Sequence, residues 1–241
     1  MRILSIGDVH ADKRLFGFPR FDEVEAVMLR SVDVAIERKV DLYEFGGDLA
    51  DPDSGVCVFR CVRLALECAR RLSLAGILST WLSGNHDVVE DGSGDTTLTP
   101  LRALQATGDR VVVLERPGWV QLGNGLQLLA LPYTATSHTY NPEAFVRDTW
   151  AKRAEGGKVV TTLHLGIEGV QPGEETKEMS RGRDVLYPQA LVASKGAQAA
   201  AQLAHHYHRR QDFRGIHVVG APARFAFGER ENEPSFTILE V

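Results

Sequence analysis

The chain has 241 residues, 44% of them apolar and 24% charged, which suits one globular unit with a buried core. Its 27 basic against 32 acidic side chains leave a formal charge of -5. This excludes a binder whose affinity comes from massed Lys and Arg contacts with nucleic-acid phosphates, but not an enzyme that meets phosphate through metal ions.

Arg2 to Ile6 is a short apolar run that ends at Gly7, the pattern of a buried strand. It is too short for an export signal, and no apolar run approaches the ~18 residues of a membrane-spanning helix, so a cytoplasmic location with no membrane partner is expected. Phe21 to Val40 places Val24, Val27, Met28, Val32, Ala35 and Ile36 at a helical period with charges between. Asp41 to Phe45 predicts a second strand, ending at Gly46-Gly47. Val56 to Leu74 predicts a second helix, and Gly76 to Leu82 a third strand, ending at Gly84. Three glycine-ended strands separated by helices predict right-handed βαβ units.

Further along, Arg110 to Leu114, Trp119 to Leu122 and Leu126 to Leu131 read as short strands, the last two joined by an Asn124-Gly125 hairpin turn. A helix is expected from Asn141-Pro142 to about Ala154, a buried strand at Val159 to Leu163, and a loop over 168–184. Closing strands are expected at Ile216 to Val219, Arg224 to Phe227 and Phe236 to Val241. There is no internal repeat or interdomain linker. The fold class predicted is α/β, a single domain over 1–241 in which two mixed sheets pack together with helices outside.

The Val56–Leu74 helix carries two apolar rows, Val58, Val62, Ala65 and Ala69 beside Cys57, Cys61, Leu64 and Cys68. That arc is wider than one sheet contact needs. A loop of the same chain would cover the extra row; a homodimer through this helix is the other reading. Three clustered cysteines on one helix are a poor disulfide framework and lack a fourth ligand for a thiolate metal site.

Each glycine-ended strand delivers metal-ligand side chains: Asp8 and His10, then Asp48, then Asn85-His86-Asp87. A later strand ends at His164, and His205-His206-Tyr207-His208 follows. Sites in α/β sheets form at the carboxyl ends of strands, so these segments should converge in one crevice. Carboxylate, imidazole and amide oxygen together suit Mn, Fe or Zn ions rather than Ca. Two such ions can clamp a phosphate and lower the pKa of a bound water, given a bridging carboxylate, for which Asp48 on the middle strand is placed.

These motifs, in this order and spacing from Asp8 to Glu229, resemble the calcineurin-like metallophosphoesterases. The resemblance implies a fold of two β-sheets packed face to face. It also implies two divalent ions, Mn2+ foremost, with Fe, Zn and Mg as alternatives. Asp8, His10, Asp48 and His208 would hold the first ion, and Asp48, Asn85, His164 and His206 the second. His86 would be the catalytic histidine, a non-ligand that protonates the leaving oxygen or steadies the phosphate, a task suited to imidazole chemistry. Three segments extend the likeness: His164-Leu165-Gly166-Ile167-Glu168-Gly169, His206-Tyr207-His208-Arg209-Arg210-Gln211, and the stretch from Gly220-Ala221-Pro222 to Phe227-Gly228-Glu229. Together they resemble the nuclease subunit of SbcCD-type double-strand-break repair complexes, which works with an ABC-type ATPase. This implies a manganese-dependent exo- or endonuclease of DNA repair or recombination, acting through a metal-bound hydroxide. A small-substrate phosphodiesterase acting on cyclic nucleotides is the alternative, and a metal-dependent scaffold a third reading that leaves His86 without a use.

Two departures stand out. The family usually has Gly where His205 stands, so His205 either requires another backbone shape or adds an imidazole near the phosphate. The segment expected to cap the repair nucleases over DNA is not seen in this sequence. For substrate contact, Arg209, Arg210, Tyr207 and His205 are the candidates: the arginines for backbone phosphates, Tyr207 for stacking on a base or for packing. Arg181, Arg183 and Arg214 suit a solvated face as well as they suit DNA. Asp87 reads as a partner of the ligands or as a turn residue, and His138 and His217 as structural or surface residues.

Overall fold

The apolar runs that end in glycine form the middle of a parallel sheet, as βαβ logic requires. The computed structural model describes residues 1–123, 125–133, 141–153, 157–171, 186–196 and 198–241. In chain order the first half gives β1 (Arg2–Ile6), a small hairpin of β2 (Arg14–Leu15) and β3 (Phe18–Pro19), α1 (Phe21–Arg38), β4 (Leu42–Phe45), α2 (Val56–Leu74) and β5 (Leu78–Leu82). A 3-10 turn at Thr99–Leu101 then leads into α3 (Arg102–Ala106), β6 (Val111–Leu114), β7 (Gly118–Gly123) and β8 (Leu126–Leu131). The rest is α4 (Pro142–Trp150), β9 (Lys158–Leu163), β10 (Gly166–Ile167), β11 (Leu186–Tyr187), α5 (Gln189–Gly196), β12 (Ala201–Ala204), β13 (Gln211–Phe213), β14 (Ile216–Val218), a 3-10 turn at Phe227–Glu229, and β15 (Thr237–Glu240).

One sheet runs β15-β1-β4-β5-β6, parallel except where β15 pairs antiparallel with β1. The other runs β13-β14-β12-β9-β8-β7, parallel in its centre with an antiparallel strand at each edge. Ile3, Leu42 and Leu82 of the first meet Leu128, Val160 and Leu203 of the second in one buried cluster, so the sheets pack face to face. The outer face of the first sheet buries Leu4, Ile6 and Trp81 under α1 and α2. The outer face of the second buries Leu129, Leu163 and Ala204 with Val146, Trp150 and Leu191 from α4 and α5. This four-layer α/β arrangement is the one the sequence predicts.

The departures from expectation are local. Arg224 to Phe227 is not a strand; the chain there bends into the Phe227–Glu229 turn, because Glu229 reaches back to the Phe225 and Ala226 amides. Lys195 and Gly196 end α5, and the buried strand before the histidines is the short β12. On α2 the extra row faces inward, where α1 and the Thr99–Leu101 turn, rather than a loop, cover Cys61, Leu64 and Cys68. Burial keeps the Cys68 thiol protonated, pushed up to about 12. The expected Asn124 turn residue, His138, Arg181 and Arg183 lie outside the described residues, as does most of the 168–184 loop. No helix of the described residues is long and apolar enough to cross a membrane.

The strand ends matter most for the site. β1, β4, β5, β9 and β12 all point their carboxyl ends to one side, and Asp8, Asp48, Asn85, His164 and His206 each follow within three residues.

Candidate metal centre

Asp8, His10 and His208 bring ligand atoms within 4.8 Å of one another, as do Asp8, Asp48 and His164, and His10, Asp48 and His86. His10 Nε2 stands 3.1 Å from His208 Nε2 and 3.6 Å from Asp48 Oδ2. On the other side of Asp48, His164 Nε2 lies 3.3 Å from the same Oδ2 and 3.2 Å from Asn85 Oδ1. The same Asn85 oxygen is 3.0 Å from His206 Nδ1. Asp48 therefore touches both halves of the cluster, and Asp8 also approaches His164, at 3.9 Å.

The backbone is strained to achieve this. Asp8, His10, Asp48 and His206 have φ of 52°, 39°, 57° and 87°, in the left-handed region that non-glycine residues seldom occupy. Gly47 has φ 104°, and a Cβ there would lie 2.6 Å from His164 Nδ1 and 2.7 Å from the Gly84 nitrogen. Only glycine lets the β4 and β5 turns approach this closely.

Outer hydrogen bonds aim the ligands. His164 Nδ1 donates to the Gly46 carbonyl at 2.7 Å, which frees Nε2 to coordinate. His208 Nδ1 is 2.5 Å from Glu229 Oε1, which does the same for its Nε2. The Asp8 carboxylate accepts from the His206 amide at 2.9 Å, and Asp48 Oδ1 from the His86 amide at 2.8 Å.

Asp87 is buried and works as a clamp rather than as a plain turn residue. Its two oxygens accept from the amides of Asp48, Leu49 and Gly84, each at 2.8 Å, and from Thr97 Oγ1 at 2.5 Å. Burial, then the neighbouring Asp48, push its carboxyl up to about 6 against the pull of those donors. Replacing Asp87 by Asn turns an NH2 toward amide donors. Urea denaturation should show about 1–3 kcal/mol lost, and equal midpoints and slopes for both proteins would show that the clamp is idle.

The electrostatics suit cations. Burial would lift the Asp48 carboxyl, but His164, His86 and His10 outweigh it and hold it well below the usual range. Burial would depress His164, but Asp48 and Asp8 outweigh it and take it up to about 9. A proton and a divalent ion would compete for that imidazole, so a metal bound here would displace protons. His10 falls well below the ordinary value through burial, with His208 and His86 adding to it against Asp48, which leaves a neutral imidazole able to coordinate a cation. Carboxylates, imidazoles, two of them oriented by outer hydrogen bonds, and an amide oxygen form a donor set that fits divalent transition-metal ions.

The family model for the calcineurin-like phosphoesterases matches residues 1–233. The chain belongs to that family. It is thus a metal-dependent phosphoesterase, a hydrolase. Among solved structures, this phosphoesterase is similar in fold to TT1561 of Thermus thermophilus, at 12% identity and a TM-score of 0.55, covering 91% of this chain and 88% of that one. It is similar also to a dimetal phosphatase from Danio rerio, at 10% identity and a TM-score of 0.54, covering 90% and 85%. No curated protein matches its sequence.

Two of the phosphoesterase's expected substrate contacts are buried. Tyr207 accepts from the Ile167 amide at 2.8 Å and packs in the second sheet's outer core, so it is not a stacking platform. His205 lies between the sheets, its Nε2 3.1 Å from Glu44 Oε2 and its Nδ1 3.9 Å from Asp8 Oδ2. A Cβ on Gly7 or Gly46 would fall 2.5 or 2.0 Å from its ring. The space two glycines leave open is what admits a histidine where the family has glycine, and the left-handed residue of this turn is His206 instead. Arg209, Arg210 and Arg214 are exposed.

Sequence reasoning missed Glu44, and it named Glu229 only as the end of a motif, without its role beside His208. Glu44 accepts from Ser5 Oγ at 2.5 Å and Thr162 Oγ1 at 2.6 Å as well as facing His205. Burial would raise its carboxyl, but His205 and the two hydroxyls hold it below the usual range. A glutamate inside an apolar strand was the available signal, since a buried charge demands a partner.

Proposed function

We propose that this phosphoesterase is a two-metal phosphodiesterase that cleaves DNA. The observation that carries the reading is Glu229. It closes the Phe227-Gly228-Glu229 motif that resembles the repair nucleases, and its carboxylate fixes His208 at the metal centre. The Gly220-Ala221-Pro222 turn of the same motif joins there too, Ala221 N donating to the His208 carbonyl at 3.0 Å.

Asp8, His10, Asp48 and His208 would hold one ion, and Asp48, Asn85, His164 and His206 the other, with Mn2+ the expected species. Bound there, the pair supplies charge neutralisation on the phosphate oxygens and a lowered pKa for water. His86, 27% exposed at the rim, donates a proton to the leaving oxygen. Arg209 and Arg210, directly after His208, meet phosphates flanking the scissile one. An ABC-type ATPase is the expected partner, and the cytoplasm the expected location.

One observation favours a second reading. The cavity of about 570 Å3 beside His86 is lined by Asp51, Asp53, Glu90 and Asp91. Four carboxylates there oppose a polyanion and suit a small phosphodiester with a neutral or cationic leaving group. The test is a panel with Mn2+: linear duplex DNA, single-stranded DNA, 2′,3′- and 3′,5′-cyclic nucleotides. DNA hydrolysis that stops with EDTA is expected. Turnover of cyclic nucleotides with both DNA forms left intact would replace the first reading by the second.

A further inference from the structure

Three exposed aromatic rings lie on the two chain segments that also carry His10 and Glu229, and the chemistry above uses none of them. Phe16, Phe18 and Phe227 are 71%, 74% and 72% exposed, and the Phe16 and Phe227 rings meet at 5.0 Å between centroids. Burial cannot explain them, and exposed apolar groups gathered in one place mark binding surfaces.

Their setting is tied to the site. The β2–β3 hairpin that bears Phe16 and Phe18 follows His10 by four residues. Phe227 opens the turn whose Glu229 holds His208, and Phe225 just before it packs edge-on against His10 and His208 at 5.3 and 5.7 Å. Phe16 itself has φ 51°, rare for a bulky side chain, with Gly17 next at 81°. Arg14 Nη2 donates to the Gly17 carbonyl at 2.5 Å and holds this tip in shape.

The cleft beside Phe227 is lined by Arg20, Arg224 and Arg230 against one acid, Glu23, although the chain as a whole is acidic. Arg20 is paired with Glu23, and Arg230 with Glu231. Among the described residues Lys13, Arg14 and Arg224 form no ion pair. A cleft of about 300 Å3 opens between Leu15, Arg224 and Phe227.

We propose that this plate is a stacking site for the unpaired bases of single-stranded DNA next to the scissile phosphate. Ring faces accept any base, and the neighbouring cations meet the backbone. A duplex, whose base faces are already stacked, gains nothing from it. The inference rests on the DNA reading above and adds the form of DNA engaged and the residues that engage it.

The test compares the wild-type protein, Phe16→Ala/Phe227→Ala and Phe18→Ala, all loaded with Mn2+, on a labelled single-stranded oligonucleotide and on bis-p-nitrophenyl phosphate. The KM for the oligonucleotide should rise roughly 10- to 100-fold in the double variant and less in the single one. Turnover of bis-p-nitrophenyl phosphate should stay within twofold. Phe16→Trp, which keeps a ring, should keep the wild-type KM. An oligonucleotide KM that is unchanged in every variant overturns the stacking site while leaving the DNA reading intact. So does a change of oligomeric mass in the alanine variants with the KM unmoved, which would make the plate a contact between copies. Wild-type protein that turns over the small diester but neither binds nor cleaves the oligonucleotide overturns the stacking site, and it removes the DNA reading itself if duplex DNA is left intact as well. Since Phe18 is exposed and makes no ring contact with the other two, its variant decides the matter should the double variant fold poorly.

Discussion

Asp48→Ala is expected to leave a folded protein that binds at most one Mn2+ per chain instead of two, with kcat/KM for phosphodiesters lower by about 10,000-fold or more, roughly 5 kcal/mol of transition-state stabilisation. The reason is geometric. Asp48 Oδ2 lies 3.6 Å from His10 Nε2 and 3.3 Å from His164 Nε2, so one oxygen serves both halves of the cluster. Its removal takes away the anion the two halves share, and with it the largest influence that raises His164. The backbone should hold, because Asp87 grips the Asp48 amide at 2.8 Å and the next amide at the same distance. Position 48 has φ 57°, which alanine tolerates less well than asparagine. Asp48→Asn is therefore the companion variant, expected to lose activity similarly at a smaller cost in stability. Metal content by elemental analysis and kcat/KM on bis-p-nitrophenyl phosphate check both. Two ions retained with activity within tenfold of wild type would mean that Asp48 is not shared.

Much of this site is legible in the amino-acid order itself. Hydrophobic runs that end in glycine and then an acid or histidine can be read locally, and strand-end convergence follows from α/β topology. What stays hidden depends on long-range pairing. Glu44 and His205 are 161 positions apart, and neither motif nor period links them. The Glu229 carboxylate is visible as part of a motif, but its grip on His208 arises only when the Phe227–Glu229 turn folds back, where the pattern predicts a strand. His205 and Tyr207 flank His206, and adjacency to a ligand suggests substrate contact. Both instead pack inside on different sides, His205 between the sheets against Glu44 and Tyr207 in the outer core of the second sheet, and no local period links either to its partner. The β12 strand, Ala201-Gln202-Leu203-Ala204, has no β-branched residue; its place between β9 and β14 decides its state over propensity.

His86→Asn is expected to lower kcat on DNA by about 100- to 10,000-fold while both ions stay bound, and to lower it less than tenfold on bis-p-nitrophenyl phosphate. The contrast comes from the leaving group. A sugar alkoxide needs a proton as the P–O bond breaks, whereas p-nitrophenolate departs without one. His86 is placed to supply that proton: its amide is tied to Asp48 Oδ1 at 2.8 Å, and its ring stands edge-on to His10 at 4.9 Å. Its Nδ1 is 3.9 Å from Asp51 Oδ2, a carboxylate at the rim. The same position, however, is within ligand reach of His10 and Asp48. The two roles separate cleanly in the measurement. A ligand role predicts equal loss on both substrates together with a fall in bound metal, because the phosphate would lose its cation whatever the leaving group. An acid role predicts unequal loss with the metal content unchanged. Single-turnover rates on both substrates, with ion content measured on the same protein, decide between them.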